Sequence, residues 1–178
     1  MPNTMIVAMR AEFLRYKVLG EKAIAQLKDE DLSAPAPGGG NSIAVICWHL
    51  SGNLRSRFTD FLTSDGEKPW RNRDEEFESR HVTGEELKAK WNQGWGVLLT
   101  ALERLDDSHL DAAVMIRGQS LLVREALLRA LAHVSYHVGQ IVYAAKAIRG
   151  PEWNYLSIAP GQSNQYNLAP VLDKPPGS

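Results

Sequence analysis

The sequence predicts an all-α protein, a single-domain four-helix bundle over residues 1–178 with a small β-hairpin before the last helix and an irregular C-terminal tail. Three observations predict it. Four segments carry apolar residues at spacings of three, four and seven, the stripe of an amphipathic helix. Each stripe is bounded by capping or helix-breaking residues. The length of 178 residues with 44% hydrophobic and 23% charged residues suits one core and leaves little room for a second domain.

The first helix runs from about Thr4 to Leu27, with Met5, Met9, Phe13, Tyr16, Ala23 and Leu27 on its stripe. Pro35, Pro37 and Gly38 to Gly40 then stop the chain. Asn41 or Ser42 is a suitable N-cap for the second helix, which carries Ile43, Ile46, Leu50, Leu54, Phe58, Phe61 and Leu62. From Ser64 to His81 no clean period exists. A connection of that length in a compact domain is often functional, and Trp70 and Phe77 are expected to pin it to the bundle. Thr83 and Glu86 form a capping-box pattern opening the third helix, whose stripe is Leu87, Trp91, Trp95, Leu98, Leu102 and Leu105. Ala113 to Ile116 is a short β-type run and Arg117-Gly118 can turn the chain, so a small hairpin is expected within 111–121. The fourth helix spans about Leu122 to Ile148 and ends at Gly150-Pro151. Residues 151–178 hold five of the nine prolines and read as an irregular tail, held by Trp153, Tyr155 and Tyr166.

The formal net charge of −1 gives no field that favours nucleic acid or an acidic membrane surface. Arg71, Arg73 and Arg80 cluster in sequence, but Asp74, Glu75, Glu76 and Glu78 sit among them and suggest a solvated mixed-charge segment. The one cysteine, Cys47, rules out an intrachain disulfide and fits a reducing compartment. The N-terminal segment carries Arg10, Glu12 and Arg15 where a secretory signal needs an apolar run, and no window approaches the ~20 apolar residues of a membrane span. The expected location is the cytoplasm.

His133 and His137 lie four apart on the fourth helix, about 40° apart round its axis, so they share a face and can bind one metal. Val134 follows His133, so the metalloprotease motif, which needs glutamate there, is absent. His49, on the second helix, would complete a three-histidine site with an open position; on its own a helical histidine is more often a packed or solvated side chain. Imidazole ligands suit zinc, nickel, copper and iron alike. Arg129, His133, His137 and Gln140 form a polar line among apolar residues. Such a line faces solvent, forms a side-chain hydrogen-bond network or surrounds a ligand. Asn53 is a candidate for orienting water or substrate, and Asp60 for supporting a ligand. Cys47, about 200° round the helix from His49, should not bind the same metal. His81 and His109 read as surface residues.

The segments SIAVICWHLSGNLRSRFTDFLTSDGEKPWRNRDEEFE and IRGQSLLVREALLRALAHVSYHVGQIVYAAKAIRG, with WNYLSIAPGQS in the tail, resemble the DinB/YfiT-like superfamily of four-helix bundles, in particular a DinB-like branch without an assigned reaction. The resemblance implies a metal held by one histidine of the second helix and two of the fourth. Those positions fall on His49, His133 and His137. It also implies homodimers. Relatives in the superfamily include thiol-dependent transferases and isomerases, and others described as metal-dependent hydrolases.

The resulting expectation is a metal-dependent enzyme holding zinc, nickel or iron. It would transfer a low-molecular-weight thiol cosubstrate to a small electrophile, with Arg129 binding the cosubstrate's carboxylate and Asn53 beside it. A hydrolase using metal-bound water is the first alternative, for which no general base is evident. A non-catalytic metal-binding dimer is the second, and it predicts a closed site.

Overall fold

The computed structural model describes residues 4–36 and 38–170, and within them the chain is mostly helical. Helix α1 (Met5–Ile24) is capped by Thr4, whose hydroxyl accepts from the Val7 amide. Its first two amides also donate to the Asp107 carboxylate at 2.9 and 3.0 Å, a negative charge at the positive end of the helix. The short α2 (Asp29–Leu32), which no periodicity foreshadows, follows a turn that ends α1 before Leu27. Helix α3 (Ile43–Phe58) opens on Ser42, whose Oγ accepts from Val45. It stops at Phe58 rather than continuing to Leu62. Asp60 takes a positive φ of 48°, and Leu62 is exposed.

Helix α4 (Gly84–Glu103) opens on the predicted capping box, Thr83 and Glu86 each accepting from the other's amide. The hairpin is present: β1 (Ala113–Ile116) pairs antiparallel with β2 (Gln119–Leu122), Ala113 opposite Leu122 and Ile116 opposite Gln119. Arg117 and Gly118 both have positive φ, 54° and 70°, as a tight two-residue hairpin turn demands. Helix α5 (Val123–Arg149) is the longest and ends where Gly150 turns to φ 54°.

The tail is less irregular than its prolines suggest. It contains α6 (Ser163–Leu168), and Trp153 is buried as expected, while Tyr155 is exposed. Residues 171–178, and Pro37 among the predicted helix stops, lie outside the described residues.

Helix α1 packs along α5, and α3 along α4, with further contacts between α3 and α5 and between α1 and α4. The core between them holds Phe13, Leu50, Leu54, Trp91, Trp95, Leu127, Val134 and Ile141, all nearly inaccessible. Met5, placed on the stripe of α1 by its spacing, is exposed at the helix start instead. Two glycines set the closeness of packing. A Cβ on Gly20 would stand 2.8 Å from the Trp91 ring, and one on Gly94 would stand 2.5 Å from the Ser51 Cα. The α3–α4 seam therefore has no slack, and α3 presents its His49 face toward α5.

Candidate metal centre

Helix α3 supplies His49, and α5 supplies His133 and His137 one turn apart. His49 and His137 are buried and His133 is half-buried. One ring nitrogen from each lies within 4.8 Å of the others, so these three side chains could hold a metal ion.

The hydrogen bonds fix which nitrogens face inward. Glu76 Oε2 lies 3.0 Å from His49 Nδ1, and a carboxylate only accepts, so Nδ1 carries a proton and Nε2 is the nitrogen turned toward the other two rings. Gln140 Oε1 accepts in the same way from His137 Nδ1 at 2.8 Å. That leaves His137 Nε2, a buried atom with no hydrogen-bond partner. His49 Nε2 and His133 Nε2 stand 3.1 Å apart. Two nitrogens bound to one tetrahedral zinc at ~2.0 Å would be separated by about 3.3 Å. An orphaned imine nitrogen beside two converging ones is costly when buried and is the arrangement a cation satisfies. The donor set therefore fits a divalent metal.

Protonation does not obstruct it. Burial first, then the neighbouring imidazoles, holds the His133 ring down to about 3 and the His137 ring down to about 4, so both are neutral at physiological pH. The thiol of Cys47 is fully buried and pushed up by that burial, and it stands outside the group, as its helical position predicted.

The residue that sequence reasoning missed is Glu76. It lies in a 3-10 turn, Asp74–Phe77, inside the long connection, and is buried against α3. Burial opposes its ionisation, but hydrogen bonds from Arg71 and His49 outweigh this and hold its carboxyl below the ordinary range. Arg71 grips it bidentately, Nε to Oε1 and Nη2 to Oε2, both at 2.8 Å. Thus Arg71, Glu76 and His49 form a buried chain that fixes the ring with Nε2 turned inward. Gly52 admits the carboxylate, since a Cβ there would stand 2.0 Å from Glu76 Oε1. The signal was faint: an acid among four acids, and a glycine three residues after His49. Phe77 stacks on His49 with centroids 4.7 Å apart, as the pinning role expected of it requires. Trp70 is half exposed and carries the Arg55 guanidinium instead.

A cleft of about 200 Å³ opens on His49 and His133. Arg129 and Asn53 line it, with Tyr136, Phe58, Phe61 and the hairpin residues Ile116 and Arg117. Asp60 does not. It belongs to a larger hollow of about 610 Å³ at the far end of α3 and α4, which contains no histidine, so its expected supporting role is not met. Size does not mark the site here; convergent donors do. His81 is exposed, and His109 bonds Asp106 in the turn before the hairpin, so neither joins the cluster.

A family model described as a protein of unknown function, DUF1572, matches residues 1–162. The chain belongs to this family. The match takes in α1 to α5 and all three histidines. No curated protein and no solved structure matches the chain. Among the described residues, no helix is long and apolar enough to cross a membrane.

Proposed function

We propose that this DUF1572 protein is a DinB-like four-helix bundle, formed by α1, α3, α4 and α5, and a metal-dependent enzyme. His49, His133 and His137 hold zinc, nickel or iron, and the reaction is transfer of a low-molecular-weight thiol to a small electrophile. The observation that carries the reading is the convergence of three imidazoles, two of them with a buried ring nitrogen left without a partner, beside a cleft that opens on His49 and His133. A purely structural site would be closed by a fourth protein ligand, and the group among the described residues stops at three.

A bound metal supplies a Lewis acid that lowers the pKa of a thiol or water placed against it. The chain's own residues do the rest. Glu76 and Gln140 hold the His49 and His137 rings in the ligating tautomer. Arg129 binds the cosubstrate's carboxylate, Asn53 orients the reacting group, and Phe58, Phe61 and Ile116 exclude water. Thiol transfer is favoured over hydrolysis because no carboxylate lines the cleft, and Glu76 is committed to Arg71 and His49. A thiol held beside positive charge gives up its proton to solvent far more readily than water does, so thiol transfer has less need of a carboxylate to accept it.

The assay is metal-loaded protein with a panel of thiols and a model electrophile, against His49→Ala. Thiol-dependent turnover lost in the variant supports transfer. Turnover of esters or lactones without thiol would replace it with hydrolysis.

We place the protein in the cytoplasm, as a homodimer. Leu128, Ala132, Tyr136, Gly139 and Tyr143 are exposed on α5 and fall within about 80° of its circumference. This apolar stripe with two small residues suits a second copy of the chain.

A further inference from the structure

Five guanidiniums surround the cleft, from four different segments: Arg57 on α3, Arg71 and Arg73 in the connection, Arg117 at the hairpin tip and Arg129 on α5. No aspartate or glutamate lines it. Three carboxylates behind the wall offset part of this charge, Asp65 acting on Arg57 without an ion-pair contact. Glu76 takes Arg71, and Glu67 is shared by Arg57 and Arg117 at 3.3 and 2.7 Å. Arg73 and Arg129 make no ion pair among the described residues. The Arg73 guanidinium lies 4.8 Å over the Phe77 ring, which itself stacks on His49, so it is held at the site.

The wall thus carries about two uncompensated positive charges, those of Arg73 and Arg129, with a divalent cation expected beside them, in a chain whose net charge is −1. A cleft lined by one sign of charge draws the opposite sign toward it. Burial, followed by Arg71 and Arg117, already lowers the pKa of Arg57 despite its Glu67 partner. The hairpin tip is fastened over the cleft: the Asp65 carboxylate accepts from the Arg117 and Gly118 amides at 2.8 and 2.7 Å. The positive wall is therefore built in, and the missing partner is the ligand.

We infer that the cleft takes a small organic dianion, with its two acidic charges shared between Arg73 and Arg129 and its reactive group toward His133. The inference rests on the reading of this cleft as the substrate site of the metal centre. The volume of about 200 Å³ is below that of pockets for drug-sized ligands, so the enclosed part of the ligand is small. Planar guanidiniums bind carboxylate and phosphate equally well in geometry, so the shared chemistry is a doubly charged oxyanion.

The test is calorimetric titration with succinate, phenyl phosphate, acetate and the neutral succinamide, on metal-loaded protein and on chelator-treated protein. Succinate or phenyl phosphate should bind at least tenfold more tightly than acetate, with affinity falling as salt rises. The tighter of the two identifies a dicarboxylate or a phosphate monoester. Arg129→Gln and Arg73→Gln should each weaken that dianion about tenfold, while Arg15→Gln, remote on α1, should not. Both cleft residues are exposed, so their variants should fold, and thermal melts check this. Acetate or succinamide binding as well as the dianions would overturn the inference, as would unchanged affinity in both cleft variants. Protein that takes no metal yet still prefers dianions would sink the metal reading and leave this one standing; metal binding with no dianion preference would do the reverse.

Discussion

Gly52→Ala tests the core of the site with one methyl group. The added Cβ would stand 2.0 Å from Glu76 Oε1, 2.6 Å from its Cδ and 3.3 Å from its Cγ. An ordinary contact begins near 3.4 Å, so the carboxylate must retreat by roughly 1.4 Å, the difference between 3.4 and 2.0. Helix α3 cannot yield instead, because on its other side Ser51 is pressed on Gly94 of α4. A retreat of that size breaks the 2.8 Å bonds from Arg71 and the 3.0 Å bond from His49. Arg71 is left as a buried charge without its partner, which typically costs 3–5 kcal/mol. Relaxation recovers part of this, and alanine's better helix propensity returns about 0.5–1 kcal/mol. The net expectation is a loss of about 3 kcal/mol, or about 6–12 °C in Tm for a chain of this size. Metal affinity should fall 10- to 100-fold as His49 loses its anchor. Thermal melting and competition against a chromophoric chelator measure the two effects. Gly96→Ala, on α4 with nothing within 4 Å of the new Cβ, is the control and should stabilise slightly. If Gly52→Ala matched that control in Tm and metal affinity, the Glu76 bridge would be wrong.

Glu76→Gln should keep most of the packing but lose the charge that pairs with Arg71, lowering metal affinity about tenfold or more in the same competition assay. His49→Ala, His133→Ala and His137→Ala should each abolish stoichiometric metal binding, read by elemental analysis of protein purified without an affinity-metal step; full occupancy in any one of them removes that residue from the ligand set. In metal-free protein, the imidazoles held near 3 and 4 stay neutral while the unfolded chain's titrate near 6.5, so the unfolded state binds more protons in between. Stability should therefore be flat above about pH 6.5 and fall with acid below it, by up to about 1.4 kcal/mol per pH unit for each ring. Denaturant midpoints between pH 7 and 5 read this, and a profile flat to pH 5 would contradict the burial of the pair. Tyr143→Glu, with a ring 70% exposed, should shift the protein toward monomer in light scattering without changing its melting curve at low concentration.

The parts of this molecule that were legible in the sequence are those that rest on local rules. Spacing showed the apolar faces of α1, α3, α4 and α5, and capping chemistry showed the starts at Ser42 and Thr83. The pair His133 and His137 followed from one helix's periodicity alone. The ends of α1 and α3 did not, because Leu27, Phe61 and Leu62 continue a helical pattern that the backbone abandons at Ile24 and Phe58. There, contact with other segments outweighs local preference. The hydroxyl of Ser56 and the guanidinium of Arg57 both donate to the Gly66 carbonyl, drawing the chain back along α3 instead of onward.

Glu76 was hidden for a related reason. A mixed run of acids and arginines is the sequence signature of a solvated segment, and most of this one is solvated: Asp74, Glu75 and Glu78 are exposed. One acid differs only because the chain folds back over a glycine on α3, 24 positions earlier, leaving room for its carboxylate alone. The burial of Arg71, with a side chain 2% exposed, follows from the same step, since the charge it neutralises is itself inside. A buried Arg–carboxylate pair is weak evidence of stability, because apolar side chains of the same volume often serve as well. Its position against a ring of the candidate centre gives it a use that apolar packing cannot supply. An acceptor at Nδ1 fixes the His49 ring with Nε2 turned inward, and the Arg71 guanidinium beside that acceptor keeps it ionised although buried. The long irregular connection is therefore as much a part of the candidate centre as the two helices that carry its histidines.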